Sequence, residues 1–263
     1  MLSQSPLTAP IPSYDCIVIG GGHAASCAAL SAVQHGCKPE RVLLLEKAPR
    51  EWAGGNGHFT AGAHRTVHGG LLDLLPLVHN APEHAERTID MEPYTAQQFT
   101  DDIMRLSEGK SDASLVKALV ESSRDAIQWL ARSVGVRFIF SFHRQAYNVN
   151  GRQKFWGGMV LSVEEGGKGL IADHQRALAQ AGIVTWYDSP AIQLLSENGK
   201  IVGVVVRKGD NGKEIQLHSS AIIIASGGFE SSKELRAKHL GPKWAQAKAS
   251  TESLYLPLLI WYI

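Results

Sequence analysis

The chain has 263 residues and a mass of 28.5 kDa, which allows one large domain or two modest ones. Hydrophobic residues make up 44% and charged residues 19%, which excludes a disordered or fibrous protein. The 26 basic and 25 acidic residues give a net charge of +1, so no nucleic-acid partner is expected. The 26 glycines cluster in pairs and triplets, a pattern typical of backbone that approaches something closely.

The cysteines and the chain ends bear on location. Cys16, Cys27 and Cys37 lack metal-ligand spacing, so no metal site is expected, and their odd number favours a reducing compartment over a disulfide framework. Residues 1–13 carry no basic residue and no long apolar run, so we expect a flexible lead-in and not a signal peptide. No run of about 18 apolar residues occurs, which predicts a cytoplasmic protein without a membrane span. The sequence does not indicate an oligomeric state.

The first elements predict a parallel βαβ unit. A buried-strand pattern covers Asp15–Ile19, three glycines follow, and a helix rich in small residues continues to Gly36. A second apolar strand over Arg41–Leu45 ends at Glu46. Strand, glycine turn, helix and strand in this order form a right-handed parallel crossover.

The middle of the chain gives weaker signals. Leu71–Lys110 has no clear period and is expected to be loop and short helix. A helix is predicted over Asp112–Ser133, and its apolar face is expected to carry Leu115, Leu119, Ile127 and Leu130. Phe138–Tyr147 is predicted to be extended.

The last third of the chain is rich in β-branched residues. After a helix over Gly169–Gln180, five short segments follow, from Ile183–Tyr187 to the return strand Ala221–Ala225, with a hairpin turn at Asn198-Gly199. We interpret these segments as an antiparallel meander appended to the parallel layer. The predicted fold class is therefore α/β: a Rossmann-type parallel sheet with helices and an inserted antiparallel β-meander.

The pattern Gly20-x-Gly22-x-x-Ala25 lies between the first strand and its helix, as a dinucleotide-binding turn requires. Gly20 permits the tight turn, Gly22 removes a side chain that would block a pyrophosphate, and Ala25 replaces the third glycine in helix-to-strand packing. The helix N-terminus offers free N–H groups and a partial positive charge. Glu46 stands where a carboxylate accepts hydrogen bonds from ribose hydroxyls. A tight turn without a ligand is the alternative.

Three further glycine-containing segments favour FAD over a nicotinamide dinucleotide. Gly54-Gly55-Asn56-Gly57 and Thr60–Gly62 follow Glu46, and Gly227-Gly228 follows the return strand. A long flavin needs bare backbone beside its ribityl chain and ring, whereas a nicotinamide-binding domain has no evident use for a second glycine loop. Each pair alone is an ordinary turn, so the prediction depends on their order. A nicotinamide-dependent dehydrogenase stays a lower-ranked alternative.

The chain resembles the FAD-binding segments of the fumarate reductase/succinate dehydrogenase flavoprotein superfamily in DCIVIGGGHAASCAA, LLLEKAPREWAGGN, GGKGLIADHQRALAQAGI and AIIIASGGFESS. FWGG and HLGPKW are most similar to the tricarballylate dehydrogenase-like branch. The resemblance covers about Tyr14 to Lys248. It implies extended FAD and hydride transfer between flavin N5 and a carbon next to a carboxylate or carbonyl of a small organic acid.

The resemblance also implies a set of cofactor-binding residues. It implies that the pyrophosphate is faced by Gly20, Gly22, His23, Ala24 and Ala25, and that the adenosine ribose is faced by Glu46, with Lys47 beside it. The ribityl–isoalloxazine side would be lined by Gly54, Gly55, Asn56, Thr60, Ala61 and Gly62. Adenine would meet the backbone of Ala191, and the cofactor would lie close to Gly227 and Gly228. Some relatives attach the flavin covalently to a histidine in the glycine loop. His58 stands there, but GHFTAG does not match that pattern closely, so non-covalent FAD is expected.

The resemblance ends after about Lys248. Members continue into a capping domain that supplies the proton-delivering arginine and the substrate clamp, whereas residues 249–263 are an apolar tail that resembles no part of the family. We therefore expect residues 14–248 to be an FAD-binding domain that is incomplete relative to the family, with the capping domain absent and the catalytic residues unassigned. A catalytically inactive flavin-binding fragment is the alternative. Five polar residues lie near segments that resemble the family, and we interpret them as surface or loop residues: His64, Arg65, His68, His143 and Arg144.

Overall fold

The computed structural model describes residues 13–209 and 212–247. The expected lead-in, apart from Ser13, and the apolar tail lie outside these residues. The strands are β1 Ser13–Ile19, β2 Val42–Leu45, β3 Ile89–Met91, β4 Phe138–Phe140, β5 Ala146–Val149, β6 Arg152–Phe155, β7 Leu161–Val163, β8 Val184–Trp186, β9 Ala191–Glu197, β10 Lys200–Lys208 and β11 Lys213–Ile224. The helices are α1 His23–Gln34, α2 Leu71–Leu74, α3 Ala85–Thr88, α4 Ala96–Leu106, α5 Ala113–Trp129, α6 Phe142–Gln145, α7 Gly166–Gln180 and α8 Lys233–Leu240.

The described chain divides into two compact units. The first comprises the described residues up to Asn56 and from Leu178 onward, and the second comprises Gly57–Ala177. In the part of the chain that the structure describes, no helix has both the length and the apolarity that crossing a membrane requires.

The first unit contains a six-stranded sheet in the order β8-β2-β1-β11-β10-β9. β1 lies parallel between β2 and β11, with Ile17 opposite Leu43 on one side and Ile222 on the other. The parallel βαβ unit is thereby confirmed. β8 is parallel to β2, so Ile183–Tyr187 contributes to the parallel layer and not to the antiparallel meander expected from the sequence. Residue pattern indicates a strand, but it does not say which neighbour the strand pairs with.

β11 changes partners along its length. Its first half pairs antiparallel with β10 and its second half pairs parallel with β1, so that His218 lies opposite both Gly203 and Ser13. The sequence predicts two segments here, a meander strand over residues 213–219 and the return strand Ala221–Ala225. The structure shows them as one continuous strand, β11. The turn between β9 and β10 is formed by Asn198 and Gly199 with φ values of 50° and 76°, which confirms the predicted hairpin.

Apolar side chains of the meander and of the parallel strands form one buried cluster, and α1 packs on β1 and β2 as well. The cluster joins β1 and β2 to β9, β10 and β11 through Ile17, Ile19, Leu43, Leu45, Ala191, Val204, Val206 and Leu217. Neighbouring residues in a strand point to opposite faces, which leaves the other face for α1. Ala25 and Ala29 of α1 are fully buried. These small side chains let the helix lie close to the sheet and begin directly after β1.

In the second unit, α4 and α5 pack around a small apolar cluster that includes Phe99, Val116 and Val120. The apolar face predicted for this helix is confirmed at Ile127 and Leu130, which are buried, and wrong at Leu115 and Leu119, which are 71% and 55% exposed. In the first half of α5 the buried apolar residues are Val116 and Val120, each one position further along. Both sets of residues have helical spacing, and contact with α4 determines which of them is buried.

Other predictions for the second unit need smaller corrections. α4 lies inside the stretch where no clear period was found, and a capping box of Thr95 and Gln98 starts it. The segment Phe138–Tyr147 is not extended throughout, because α6 interrupts it. The unit also contains the sheets β3-β6-β5 and β4-β7. Asp173 is fully buried and accepts hydrogen bonds from the Arg137 side chain and its backbone N–H.

We expect Leu217→Ala to lower the free energy of unfolding by about 3 kcal/mol, because Leu217 is fully buried between the meander and the parallel strands. Leu240→Ala is the matched control, since Leu240 is 50% exposed and its truncation should cost less than about 1 kcal/mol. Urea denaturation followed by circular dichroism measures both variants. Equal losses would contradict the proposed packing.

Candidate functional site

Three strand ends meet at Gly20. Its N–H donates to the Leu45 carbonyl at the end of β2 (N···O 2.8 Å). The Ala225 N–H, just past β11, donates to the Ile19 carbonyl (N···O 2.8 Å). Gly20 has φ +119°, and a Cβ there would collide with the Ala225 carbonyl oxygen. Glycine is therefore required at this position by the backbone conformation and by the neighbouring strand.

The N-terminus of α1 follows this turn immediately. Gly22 is its N-cap; no side chain caps the helix, and its first turn contains no acidic residue. A Cβ on Gly22 would approach the Gly54 carbonyl oxygen at 3.3 Å, so this glycine lies against the second glycine loop. In the first turn, Ala24 is exposed and Ala25 is buried against the sheet. An uncapped 12-residue helix with a positive dipole end fits a pyrophosphate group.

The Glu46 carboxylate is held against the glycine turn that follows β1. Glu46 is 6% exposed, and its Oε1 accepts a hydrogen bond from the Ala48 N–H at 2.7 Å. A Cβ on Gly21 would collide with its Oε2. Burial raises the pKa of Glu46, while backbone hydrogen bonds from Ala48, Gly21 and Lys47 act in the opposite direction. Two carboxylate oxygens offer about four acceptor positions, so Glu46 can hold the turn and still accept from a ribose hydroxyl.

A cationic and aromatic group of side chains lies near Glu46. Burial lowers the pKa of Lys47, and the Glu46 charge opposes that shift. The Arg50 guanidinium lies over the Tyr187 ring at 6.0 Å from its centroid. The backbone segments that carry these residues are joined, because the Ser189 N–H donates to the Glu46 carbonyl. The end of β2 is therefore fixed to the chain that follows β8.

The second and third glycine segments of the first unit are also joined. Asn56 Nδ2 donates a hydrogen bond to Glu230 Oε1. A Cβ on Gly228 would collide with the other carboxylate oxygen of Glu230. Gly227 has φ +78° and no atom within 4 Å of a Cβ position. Glu230 was not predicted from the sequence, because it lies 174 residues from Asn56 and no local pattern links the two. Its signal in the sequence is an acidic residue two positions after Gly228.

The structure therefore distributes the expected cofactor residues between the two units. The first unit contains Gly20, Gly22, His23, Ala24, Ala25, Glu46, Lys47, Gly54, Gly55, Asn56, Ala191, Gly227 and Gly228, and Ala191 begins β9 at 7% exposure. The second unit contains Thr60, Ala61 and Gly62. There the Gly62 N–H donates to Thr60 Oγ1 at 3.0 Å, and Ser162 Oγ donates to the Ala61 carbonyl at 2.8 Å. These three residues form a separate ordered turn, whose part in binding remains a prediction.

Of the five polar residues interpreted as surface or loop groups, three are buried or partly buried and two are exposed. Arg65 Nη1 donates to the Tyr94 hydroxyl (2.8 Å) and to Asp102 (2.7 Å), which makes it part of an internal network of the second unit. His68 is only 2% exposed, and burial lowers its pKa. His64 is half-buried and donates from Nδ1 to a backbone carbonyl. His143 and Arg144 are exposed in α6.

We expect Gly20→Ala to destabilise the protein by about 2 kcal/mol more than Gly36→Ala. Both glycines have positive φ values, +119° and +104°, but a Cβ on Gly36 meets no atom within 4 Å. The two variants therefore share the conformational strain of alanine at positive φ, and only Gly20→Ala adds the collision with Ala225. Chemical denaturation of the two variants gives the difference. Equal destabilisation would mean that the strand ends can separate freely.

The raised pKa of Glu46 predicts a pH dependence of stability. The folded protein binds this proton more tightly than the unfolded chain does, so the stabilisation is complete below the unfolded pKa of about 4.3. It is lost as the pH rises through the folded pKa. Relative to Glu46→Gln, the free energy of unfolding of the wild type should therefore fall as the pH rises from about 4. Urea midpoints over this range measure it, and parallel curves would contradict it.

The comparisons with known proteins agree with this geometry. Residues 15–252 match the family model described as FAD binding domain (FAD_binding_2). The probable fumarate reductase Ifc3 of Shewanella frigidimarina is 26% identical over 229 residues, which cover 87% of this chain and 34% of that protein. The urocanate reductase of Eggerthella lenta is 26% identical over 247 residues, which cover 91% of this chain and 36% of that protein.

A solved structure is similar as well. The open conformation of a flavocytochrome c3 fumarate reductase superposes with a TM-score of 0.67 at 25% sequence identity, and the match covers 92% of this chain and 38% of that chain. The chain thus spans between a third and two fifths of the length of these relatives. It belongs to the FAD binding domain family, within the fumarate reductase/succinate dehydrogenase flavoprotein superfamily that its motifs predicted.

Proposed function

We propose that this chain is the FAD-holding portion, residues 14–248, of an oxidoreductase that acts on a small organic acid. The observation that carries the proposal is the uncapped N-terminus of α1 at Gly22, with the Glu46 carboxylate anchored to the same turn. One group accepts a pyrophosphate and the other accepts ribose hydroxyls, which are the two polar parts of a dinucleotide. The family assignment supports FAD as that dinucleotide.

The residues of the first unit divide the binding between them. Backbone N–H groups from Gly22 to Ala25 would hold the pyrophosphate, and Glu46 would hold the adenosine ribose. Gly54–Asn56 and Gly227-Gly228 would supply bare backbone beside the rest of the cofactor, where a side chain would occupy its space. When bound, FAD supplies hydride transfer at its N5 atom to or from a carbon next to a carboxylate or carbonyl. The chain's own task in that chemistry is to bind, to orient and to exclude water.

The substrate class is proposed from similarity. The relatives are named as a probable fumarate reductase and a urocanate reductase, and fumarate and urocanate are both unsaturated acids. The motifs FWGG and HLGPKW support an acid of the tricarballylate type for this chain. We also propose a cytoplasmic location, since Cys16, Cys27 and Cys37 are unpaired in the structure.

A second candidate is a chain that binds flavin but does not turn over substrate. The matched region covers 34% and 36% of the length of the two relatives, so similarity supports FAD binding by this chain more directly than it supports turnover. The nicotinamide-dependent alternative loses its support, because the family is an FAD-binding one.

We expect the purified chain to take up added FAD and to show the absorption bands of an oxidised flavin. Glu46→Ala should weaken FAD binding by about tenfold, because it removes a buried acceptor that faces the ribose. Glu197→Ala is the matched control, since Glu197 is exposed at the end of β9. Fluorescence titration with FAD measures all three proteins. A wild type that binds no FAD would overturn the proposal.

The same preparation separates the remaining alternatives. Acid precipitation should release the flavin into the supernatant, whereas a yellow pellet would indicate a covalent bond, for which His58 is the candidate. Anaerobic mixing of the loaded protein with tricarballylate, succinate or dihydrourocanate tests flavin reduction. Bleaching of the flavin by one acid supports the oxidoreductase; retained flavin with no bleaching and no reverse reaction supports the binding fragment.

A further inference from the structure

The hydrogen bond between Asn56 and Glu230 joins two segments that are far apart in the chain. Asn56 follows Gly54 and Gly55, whose φ values are positive, 116° and 53°, and Gly55–Phe59 forms a short 3₁₀ helix. Glycine has many accessible backbone states, so a loop that contains two glycines is ordered further by each contact that holds it. In the segment after β11, the Glu230 carboxylate accepts this hydrogen bond from Asn56 Nδ2.

Glu230 is itself held firmly by its own segment. Ser232, two residues after Glu230, caps α8 by accepting from the Leu235 N–H at 3.2 Å, and this fixes the start of the helix at Lys233. One turn into α8, the Arg236 side chain is 8% exposed and donates to the Glu230 carbonyl. It also donates to the carbonyls of Trp244 (3.0 Å) and Ala247 (2.8 Å). The backbone at Glu230 and in the segment that follows it is therefore anchored.

The carboxylate lies directly against Gly228. A Cβ at Gly228 would collide with Glu230 Oε2, while Oε1 accepts from Asn56. One carboxylate thus bridges the Asn56 loop and the Gly227-Gly228 turn. Both of these segments belong to the proposed FAD site, yet Glu230 itself matches no part of the dinucleotide fingerprint.

We propose that Glu230 is a positioning residue for FAD: it acts through Asn56 to hold the Gly54–Asn56 loop in the conformation that the cofactor needs. The inference rests on the proposed function, since it assumes that the loop contacts FAD. A loop fixed before binding does not have to lose its conformational entropy when the ligand arrives, so the affinity is higher. Without the hydrogen bond between Asn56 and Glu230, the loop would lose its conformational entropy when FAD binds, and the affinity would be lower.

The proposal is tested with Glu230→Ala, Glu230→Gln, Asn56→Ala and the double variant Glu230→Ala/Asn56→Ala. Glu230→Ala should weaken FAD binding by about tenfold, the usual effect of one hydrogen bond to a charged group. Glu230→Gln keeps an oxygen that can accept from Asn56 Nδ2, so it should restore binding to within about threefold of wild type. If Glu230 acts through Asn56, the double variant should bind no more weakly than Asn56→Ala alone.

Hydrogen exchange of the protein without FAD provides a second measurement that does not depend on the cofactor. The amides of residues 54–57 should exchange faster in Glu230→Ala than in wild type, while Glu230→Gln should resemble wild type. Glu197→Ala, which alters an exposed carboxylate at the end of β9, should change neither measurement.

Each outcome decides the proposal. Unchanged FAD affinity or unchanged exchange in Glu230→Ala overturns it, and so do fully additive effects in the double variant. Failure of Glu230→Gln to restore binding also overturns it, because the carboxylate would then act by its charge and not through Asn56. A wild type that binds no FAD overturns the proposed function together with this inference. A wild type that binds FAD as tightly as Glu230→Ala overturns this inference alone.

Discussion

The contact between Gly20 and the Ala225 carbonyl is the constraint on which the first unit depends. β1 has a parallel neighbour on each side, β2 and β11, so its end must fit between two other strand ends. A residue with a side chain at Gly20 would move Ala225 and with it the end of β11. The direction of α1 and the place of its N-terminus follow from this fit.

The two acidic residues of the site play similar structural parts. Glu46 lies against Gly21 and Glu230 lies against Gly228, and in both cases a Cβ on the glycine would collide with the carboxylate. Part of the glycine clustering is thus required by the protein's own side chains and not by a ligand. A requirement for glycine that comes from a ligand is clearest at Gly22, where α1 begins without a side-chain cap.

Local features of the structure could be predicted from the sequence. The turn at Gly20 could be recognised because its strand, glycine and helix signals are adjacent in the chain, although its partners Leu45 and Ala225 are distant. The hairpin at Asn198-Gly199 depends on two residues that tolerate positive φ. Features that depend on distant partners could not be predicted in this way. The parallel pairing of β8 is decided by β2, and the buried stripe of α5 is decided by α4, so that Leu115 is exposed although its spacing fits a core position. Glu230 was missed for the same reason, because its partner Asn56 is distant in the chain.

The meeting of strand ends at Gly20 also has a consequence for biosynthesis. Ala225 is translated about 200 residues after Gly20, so the dinucleotide turn stays open at one side while most of the chain is made. At about 5–20 residues per second this interval lasts roughly 10–40 s. Pairing between such distant segments is slow, since a long loop must close before the contacts form. During that interval β1 has an unpaired edge, and a nascent chain in this state is exposed to misassociation until β11 has left the ribosome and closed the sheet.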